Sequence, residues 1–220
     1  MTVGPGADTT ALVYSAEEPR IGAALILGHG AGAGQHSPFM TEFARALAAL
    51  GADLVTFNFL YTEQKRKLPD RAPALETCYR AVIEVVRAHV ESARHALFIG
   101  GKSMGGRIAT QVAAADATLP LAGLVLLGYP LHPPGRPERR RDAHLPAVGR
   151  PMLFVQGSRD GFGTPVELAP ILAHLSPRPA LHEIVGGDHS FKLTGRDPAK
   201  QAATYADIQR AIVNWITRLL

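Results

Sequence analysis

The stretch "HALFIGGKSMGGRIA", His95–Ala109, decides the fold prediction because two rival signatures share its serine. With Gly101 and Lys102 before it, Ser103 matches the end of a phosphate-binding loop of the form G-x-x-x-x-G-K-[ST]. With Gly101 before it and Gly105 after it, Ser103 is the centre of a G-x-S-x-G nucleophile turn. The first interpretation makes Ser103 a metal-holding hydroxyl in a nucleotide site, and the second makes it an attacking nucleophile.

The residues around Ser103 favour the nucleophile turn. A phosphate loop needs glycine at position 96, where the chain has Ala96. The apolar run Leu97–Gly100 is typical of a buried strand and not of a flexible loop. Gly101 and Gly105 leave room at a turn too tight for Cβ atoms. A helix is predicted after the turn from its apolar spacing, Ile108, Ala109, Val112 and Ala113. The pentapeptide alone fits an ordinary glycine-rich loop equally well.

Length and composition indicate one globular domain spanning residues 1–220. Hydrophobic residues make up 46% of the chain and charged residues 19%, which is ordinary for a globular protein. The single cysteine, Cys78, excludes a disulfide within the chain and is predicted to be a packed thiol, which suits a cytoplasmic location. The N-terminus lacks the pattern of a signal peptide. No apolar run approaches the ~20 residues that a membrane span needs.

The chain is basic, with a net charge of +4, so nucleic acid or an anionic surface is a conceivable partner. Its two basic runs, Lys65–Lys67 and Arg139–Arg141, lie in proline-containing loops without the interleaved aromatic residues of a single-strand binder. This pattern favours solvated loop charge and no nucleic-acid partner. The alternative is that Arg139–Arg141, together with Arg136, rim a site for acidic substrates.

Apolar runs alternate with amphipathic helices along the chain. The predicted strands are Ala23–Gly28, Ala52–Phe59, His95–Gly100, Leu121–Pro130, Pro151–Gly157 and Leu181–Val185. Four helices are predicted. The first has Ser37 as its N-cap and Pro38 at its first position, the second covers Leu75–Val90, the third follows Ser103, and the fourth runs from Tyr205 to Leu219. This alternation predicts an α/β fold with a mostly parallel sheet and helices on both faces. The Pro- and Arg-rich segment 131–149 is interpreted as a minimal cap, with linker-like disorder as the alternative.

A serine nucleophile needs a base within hydrogen-bond reach and an acid that orients the base. Asp160 in "FVQGSRDGFG" and His189 in "IVGGDHSFK" each stand just after a predicted strand. The order Ser103, Asp160, His189 is that of the α/β-hydrolase fold, and parallel strands end at one edge of the sheet. A turn aspartate and a loop histidine are the alternatives for the two partners.

Rival acids and bases are less well placed. Asp188 adjoins His189, and neighbouring side chains in an extended loop tend to point apart. Asp142, His132 and His144 lie in the cap segment, with no strand to aim them. His29 and His36 lack a paired cysteine or acid at ligand spacing, so no metal site is predicted and both are expected to make loop hydrogen bonds.

Two backbone N–H groups should stabilise the oxyanion of an acyl-transfer reaction. Met104 follows the nucleophile at a helix N-terminus, whose dipole favours negative charge. The second donor is predicted in the loop "GHGAGAGQHS", at Ala31, with Gly32 as the alternate. That loop fails the dinucleotide pattern G-x-G-x-x-G, because Ala33 and Gln35 stand where its last glycine would be.

Aromatic residues near the strand ends are candidates for an acyl pocket, with core packing as the alternative for each. They are Phe39, Tyr61, Tyr129 and Phe162. Because the chain has no room for a large lid, the site is predicted to be open. Arg139 and its basic neighbours suggest that an anionic group is favoured in the substrate.

Six segments together resemble a compact, dienelactone-hydrolase-like α/β-hydrolase family. They are "GHGAGAGQHSPFM", "FNFLYTEQKRKLPDRAPALE", "GGKSMGGRIA", "LLGYPLHPPGRPERRRDAHL", "FVQGSRDGFG" and "GGDHSFK". The family includes bacterial hydrolases and relatives of testis-expressed and chromatin-complex (KANSL-type) proteins. The resemblance implies the hydrolase fold, with Ser103 as nucleophile, Asp160 as acid and His189 as base. Dienelactone hydrolases carry a cysteine at the nucleophile position, where this chain has serine.

The sequence therefore predicts a serine hydrolase that cleaves small carboxylic esters or thioesters through an acyl-enzyme and needs no cofactor. Because some eukaryotic relatives look like interaction domains, the alternative is a catalytically weak binding or scaffold module. The sequence carries no signal for an oligomeric state.

Overall fold

The computed structural model describes residues 1–4, 7–195 and 197–220. Its strands are β1 (Thr2–Gly4), β2 (Ala7–Asp8), β3 (Ala11–Tyr14), β4 (Ala24–Gly28), β5 (Asp53–Phe57), β6 (Leu97–Lys102), β7 (Gly123–Leu127), β8 (Met152–Gly157) and β9 (Ala180–Ile184). Its helices are α1 (Pro38–Ala49), α2 (Leu60–Glu63), α3 (Ala72–His89), α4 (Ser92–His95), α5 (Met104–Ala115), α6 (Pro165–Leu172) and α7 (Pro198–Thr217), with a 3-10 helix at Leu145–Ala147.

Seven strands form one sheet in the order β3-β5-β4-β6-β7-β8-β9, and β1 pairs with β2 separately. Only β3 is antiparallel to its neighbour, and the other six strands of the sheet run parallel to one another. The predicted α/β-hydrolase architecture is confirmed. Because six strands share one direction, their carboxyl ends meet at one edge of the sheet.

Helices cover both faces of the sheet because each face carries apolar side chains. On one face, Phe43 and Leu47 of α1 and Ile212 of α7 pack into one buried cluster. On the other, Val82 of α3 and Ile108 of α5 belong to a second cluster. The central strands β4, β6, β7 and β8 are buried throughout, which explains why they read as continuous apolar runs.

The six predicted strands and four predicted helices are all present, with shifted ends. Strand β6 starts at Leu97 because His95 belongs to the short helix α4, and it runs on to Lys102. Helix α7 begins seven residues before Tyr205, where the Asp197 side chain accepts a hydrogen bond from the Lys200 N–H. Ser37 occupies the N-cap position of α1 without a side-chain cap bond.

The sequence prediction lacked the strands β1, β2 and β3, the helices α2, α4 and α6, and the 3-10 helix. Helix α6 begins with a reciprocal capping box between Thr164 and Glu167, a signal that is visible in "TPVE". Strand β3 is an apolar run of only four residues, ALVY, at the short end of the lengths that strands have. Cys78 is buried in α3 as predicted, and burial raises the pKa of its thiol to about 12.

The turn between β6 and α5 places Ser103 in an unusual backbone conformation. Ser103 has φ 52° and ψ −113°, while its N–H donates to the Leu127 carbonyl at 2.9 Å. A positive φ is rare for a residue with a side chain and persists only when the surroundings hold it. The predicted strand–turn–helix context is therefore confirmed.

The cap segment, residues 131–149, packs against α5 rather than extending away from the sheet. Leu145 and Val148 are buried in the same cluster as Ile108. His144 Nε2 lies 2.8 Å from the Thr110 hydroxyl of α5, and the Tyr129 hydroxyl donates to the Arg141 carbonyl at 2.6 Å. These bonds hold the segment beside the carboxyl edge of the sheet.

Replacing Gly105 with alanine should destabilise the fold by about 3 kcal/mol, because the added methyl overpacks a backbone contact. A Cβ at Gly105 would lie 2.1 Å from the Gly28 carbonyl oxygen of β4, and neither backbone can yield like a side chain. Gly161→Ala is the matched control, because a Cβ there meets nothing within 4 Å. Urea unfolding of both variants measures the difference; equal stabilities would contradict the constraint.

Lys102, the last residue of β6, is buried with its ammonium donating to the His189 carbonyl at 2.6 Å. The ammonium also lies 6.0 Å from the Phe39 ring centroid and 5.7 Å from that of Phe191. Burial lowers the pKa of Lys102 from 10.5 to about 8, although the charges of Asp160 and Asp188 oppose this shift. Between these two pH values the unfolded chain therefore binds more protons at this site than the folded chain.

Wild-type protein should gain stability relative to Lys102→Met as the pH rises from about 8 to 10.5. The gain should reach at most about 3 kcal/mol, since each unit of pKa difference corresponds to ~1.4 kcal/mol. Urea unfolding across this pH range measures it, and the exposed Lys67→Met is the control that should follow wild type. Parallel stability curves for wild type and Lys102→Met would count against a buried, proton-losing lysine.

Candidate active site

A cavity of about 820 Å³ opens at the carboxyl edge of the sheet, beside the turn that carries Ser103. It is lined by the β4–α1 loop, by α1, by the start of α5 and by the loops after β7, β8 and β9. Its lining residues include Ala31, Phe39, Glu42, Asp70, Lys102, Ser103, Met104, Arg107, Arg141, Phe162, His189 and Lys192. The cavity therefore lies at the strand ends, where the sequence predicts the site.

Ser103, His189 and Asp160 form a continuous line of hydrogen bonds. His189 Nε2 lies 2.8 Å from Ser103 Oγ, and His189 Nδ1 lies 2.7 Å from Asp160 Oδ2. The Asp160 side chain is fully buried, whereas that of His189 is 21% exposed and faces the cavity. The fold thus brings together three residues that are up to 86 positions apart in the chain.

The Asp160 carboxylate is held from three directions. Besides His189, it accepts a hydrogen bond from the Gln156 amide at 2.8 Å and one from the Phe162 N–H at 2.8 Å. Gln156 is buried in β8 and also donates to the Gly163 carbonyl at 2.6 Å. These bonds compensate the burial of a carboxylate, which is costly when it is unpaired.

The His189 ring is fixed by a neighbouring ring and by its own loop. Phe162 lies against it with ring centroids 4.3 Å apart. The Lys102 ammonium holds the His189 carbonyl, which ties the β9–α7 loop to β6. Asp188 turns that loop by accepting from the N–H groups of Ser190 and Lys192 at 2.8 and 2.9 Å. The imidazole therefore has one defined position between Asp160 and Ser103.

The rival acids and bases have other partners. Asp188 bonds its own loop, as described above, and Asp142 pairs with Arg140. His132 Nε2 lies 3.1 Å from the Glu167 carboxylate. His144 bonds Thr110, and burial lowers its pKa. None of these four side chains contacts Ser103 within the described parts of the chain.

Met104 and Ala31 both line the cavity beside Ser103. Met104 is the first residue of α5, so its N–H has no acceptor within the helix. In residues 1–4, 7–195 and 197–220, neither the Met104 N–H nor the Ala31 N–H donates to a protein acceptor. The alternate, Gly32, does not line the cavity. Both predicted donors therefore belong to residues that line the cavity, and neither N–H has a protein acceptor within the described residues.

His29 supports the loop that carries Ala31. Its Nδ1 donates to the Gly30 carbonyl at 2.8 Å, which leaves Nε2 to accept from the Phe59 N–H at 3.2 Å. Burial lowers the pKa of His29, in agreement with a neutral ring that donates at one nitrogen and accepts at the other. The expectation that this histidine makes loop hydrogen bonds is confirmed.

The residues predicted to bind substrate divide into two groups. Phe39 and Phe162 line the cavity, whereas Tyr61 and Tyr129 do not. Both tyrosines are 1% exposed and pack in the core, and Tyr129 donates its hydroxyl to the cap segment. For these two positions the core-packing alternative describes the structure.

Arg139 does not line the cavity, and its neighbour Arg141 does. Arg139 is exposed, whereas Arg141 is partly buried and its N–H donates to the Leu131 carbonyl at 2.8 Å. That bond turns the cap segment so that one arginine of the basic run reaches the site edge and another faces solvent. The register of an irregular segment has no sequence period from which it could be predicted.

Sequence reasoning missed three residues of the site. Gln156 was hidden inside an apolar strand, although a lone amide in a buried run is itself a signal of a polar partner. Lys102 occupies the variable second position of G-x-S-x-G, which by itself suggests no role. Arg107 lies in the predicted helix four residues after Ser103, one helical turn on, and lines the cavity.

The described part of the chain contains no group of three His, Cys, Asp or Glu side chains close enough to hold a metal ion. None of its helices, within the same described residues, has both the length and the apolar character for crossing a bilayer.

Solved structures share this fold over nearly the whole chain. A serine hydrolase without a lid from Xanthomonas campestris is 23% identical with a TM-score of 0.73, over 96% of this chain and 89% of that one. A dienelactone hydrolase from Anabaena variabilis is 20% identical with a TM-score of 0.71, over 96% and 91%. Est1E from Butyrivibrio proteoclasticus, solved with ferulic acid bound, is 14% identical with a TM-score of 0.71, over 94% and 96%.

The sequence itself matches one family over most of its length. A family model described as an alpha/beta hydrolase domain covers residues 22–217, a range that includes Ser103, Asp160 and His189. The resemblance drawn from the six sequence segments is confirmed, and the likeness in fold extends to a dienelactone hydrolase. This chain therefore belongs to the alpha/beta hydrolase domain family.

Proposed function

We propose that this protein is a serine hydrolase that cleaves carboxylic ester or thioester bonds through an acyl-enzyme intermediate. The observation that carries the proposal is the line of short contacts from Ser103 Oγ through His189 to Asp160, at 2.8 and 2.7 Å. A base that is hydrogen-bonded to a hydroxyl and oriented by a buried acid is the arrangement that activates serine. This chemistry requires no metal or cofactor.

In the acylation step, Ser103 Oγ attacks the carbonyl carbon of the substrate. His189 Nε2 accepts the hydroxyl proton as the bond forms and then donates it to the leaving alcohol or thiol. Throughout the reaction the Nδ1–H of His189 donates a hydrogen bond to the Asp160 carboxylate, so Nε2 is the nitrogen that is free to take the serine proton. The products of this step are the free alcohol or thiol and an ester between the acyl group and Ser103.

In the deacylation step, a water molecule attacks the acyl carbon in place of the departed group. His189 takes a proton from the water and returns it to Ser103 Oγ, which restores the free enzyme and releases the carboxylic acid. Each step passes through a tetrahedral oxyanion, which the N–H groups of Met104 and Ala31 bind in this proposal; both residues line the cavity with Ser103. Such a donor typically contributes ~10²–10³-fold to the rate.

The cavity suits a small substrate. Its volume of about 820 Å³ lies within the usual range for small-molecule sites. Phe39 and Phe162 provide apolar surface in the cavity, which fits an acyl chain or a ring. No separate lid domain has to open, because the cap segment is packed onto α5.

Ser103→Ala should abolish covalent labelling by a fluorophosphonate probe and hydrolysis of a p-nitrophenyl ester of a short acid. The hydroxyl that would form the bond to phosphorus or to the acyl group is then missing. The matched control is Ser37→Ala, which removes a serine hydroxyl from the same cavity wall and should leave labelling intact. Mass spectrometry of the labelled peptide measures the result. Folded wild-type protein that takes no label would instead indicate a binding module.

Asp160→Asn should lower kcat by roughly 10²–10⁴-fold, because an amide can stabilise the wrong tautomer and cannot stabilise the imidazolium. Asp188→Asn is the control, since Asp188 also adjoins His189 in sequence but bonds only N–H groups of its loop. Steady-state hydrolysis of the same p-nitrophenyl ester compares the two. A larger loss in Asp188→Asn would reverse the assignment of the acid.

A further inference from the structure

Two arginine side chains line the cavity that holds Ser103. Arg107 comes from the first turn of α5, and Arg141 comes from the cap segment, which packs against α5. The two guanidinium groups are close enough that the charge of Arg107 acts on Arg141. The helix and the cap thus bring like charges together from parts of the chain that are 34 positions apart.

These two cations have no carboxylate partner among the described residues. Asp142, the acid next to Arg141 in sequence, pairs with Arg140 instead. Asp70, on the cavity wall, pairs with Arg66 at 2.7 Å. Outside the described range lie Pro5, Gly6 and Arg196, and none of these residues carries a carboxylate.

The cavity wall as a whole is basic. It carries four cationic side chains, Lys102, Arg107, Arg141 and Lys192, and two carboxylates, Glu42 and Asp70. Glu42 is exposed on α1, where its charge acts with burial to raise the pKa of Tyr205 on α7. Asp70 is paired with Arg66, and the Lys102 ammonium holds a backbone carbonyl. Arg107, Arg141 and Lys192 form no ion pair within residues 1–4, 7–195 and 197–220. Of these three cations, Arg107 is the one whose charge acts on Arg141.

Holding the two arginines there without an anion is electrostatically unfavourable. Arg107 stands near the N-terminus of α5, where the helix dipole disfavours a positive charge. Arg141 is partly buried, and its pKa is lowered by that burial and then by the charge of Arg107. A bound anion would relieve both effects, because guanidinium groups form strong charge-assisted hydrogen bonds with carboxylates.

We propose that Arg107 and Arg141 form a subsite for a carboxylate carried by the substrate, so that the hydrolase acts on esters or thioesters of acidic compounds. The inference rests on the proposed function and specifies its substrate class. It also moves the anionic site from Arg139, predicted from the basic run, to the two arginines that line the cavity. Ser103 still attacks the carbonyl carbon of the ester or thioester, and the C–O or C–S bond of that group is the one that is cleaved. The carboxylate at the subsite is bound and is not transformed.

The test compares matched pairs of esters that differ in one negative charge. Mono-p-nitrophenyl glutarate against p-nitrophenyl valerate places the charge on the acyl side. Para-acetoxybenzoate against its methyl ester places the charge on the leaving group. In at least one pair, wild-type kcat/KM should favour the anionic member by about tenfold or more, the size expected for hydrogen bonds to a charged group.

The double variant Arg107→Gln, Arg141→Gln should bring that ratio close to one, with the neutral ester of each pair as the internal reference. Arg139→Gln is the matched control, because this exposed arginine of the same basic run does not line the cavity, and it should keep the wild-type ratio. A wild-type ratio near one in both pairs, or a ratio that the double variant keeps, would overturn the proposal.

A binding measurement separates this proposal from that of hydrolysis. Glutarate should raise the Tm of wild type and of Ser103→Ala in a concentration-dependent way, and should do so much less for the double variant. If no ester is hydrolysed but this shift is present, the subsite stands and the hydrolase proposal fails. If esters are hydrolysed but glutarate shifts wild type and the double variant equally, the hydrolase proposal stands and the subsite is wrong.

Discussion

The close backbone contact between Gly105 and the Gly28 carbonyl is the constraint on which the rest of the site depends. A Cβ at Gly105 would lie 2.1 Å from that oxygen, so α5 can start this close to β4 only with glycine there. The short distance leaves a single residue, Ser103, to reverse the chain, and its φ of 52° is the consequence. The same approach brings the start of α5 to the end of β4, where the loop that carries Ala31 begins, and both Met104 and Ala31 line the cavity.

Buried charge at the site is balanced by polar groups at or near the ends of three strands, β6, β8 and β9. Asp160 follows β8 and is held by Gln156 of that strand, while His189 follows β9 and is held in part by Lys102 of β6. Each strand end therefore supplies a group that satisfies its neighbour. Because a carboxylate and an ammonium are both costly to bury alone, the hydrogen bonds that satisfy them also fix the geometry of the imidazole.

Arg107 and Arg141 differ from this pattern, since the protein supplies no anion for them in its described residues. The charged groups of the site are therefore of two kinds: those with hydrogen-bond partners in the protein, and those with no anionic partner among its described residues. The first kind is structural and positions the hydrogen-bonded line from Ser103 to Asp160. The second has the features of a ligand site, which connects the basic composition of the chain to the kind of molecule it is proposed to bind.

The parallel α/β sheet, the turn at Ser103, and the order Ser103, Asp160, His189 could be predicted from the amino-acid sequence, because strand and helix periods and glycine spacing are local properties. Three features required the folded structure: Arg141 and not Arg139 lines the cavity, Tyr61 and Tyr129 pack inward, and Lys102 and Gln156 hold the site. These facts depend on the register of an irregular segment and on contacts between distant strands. Neither is encoded in a repeat that a single sequence displays.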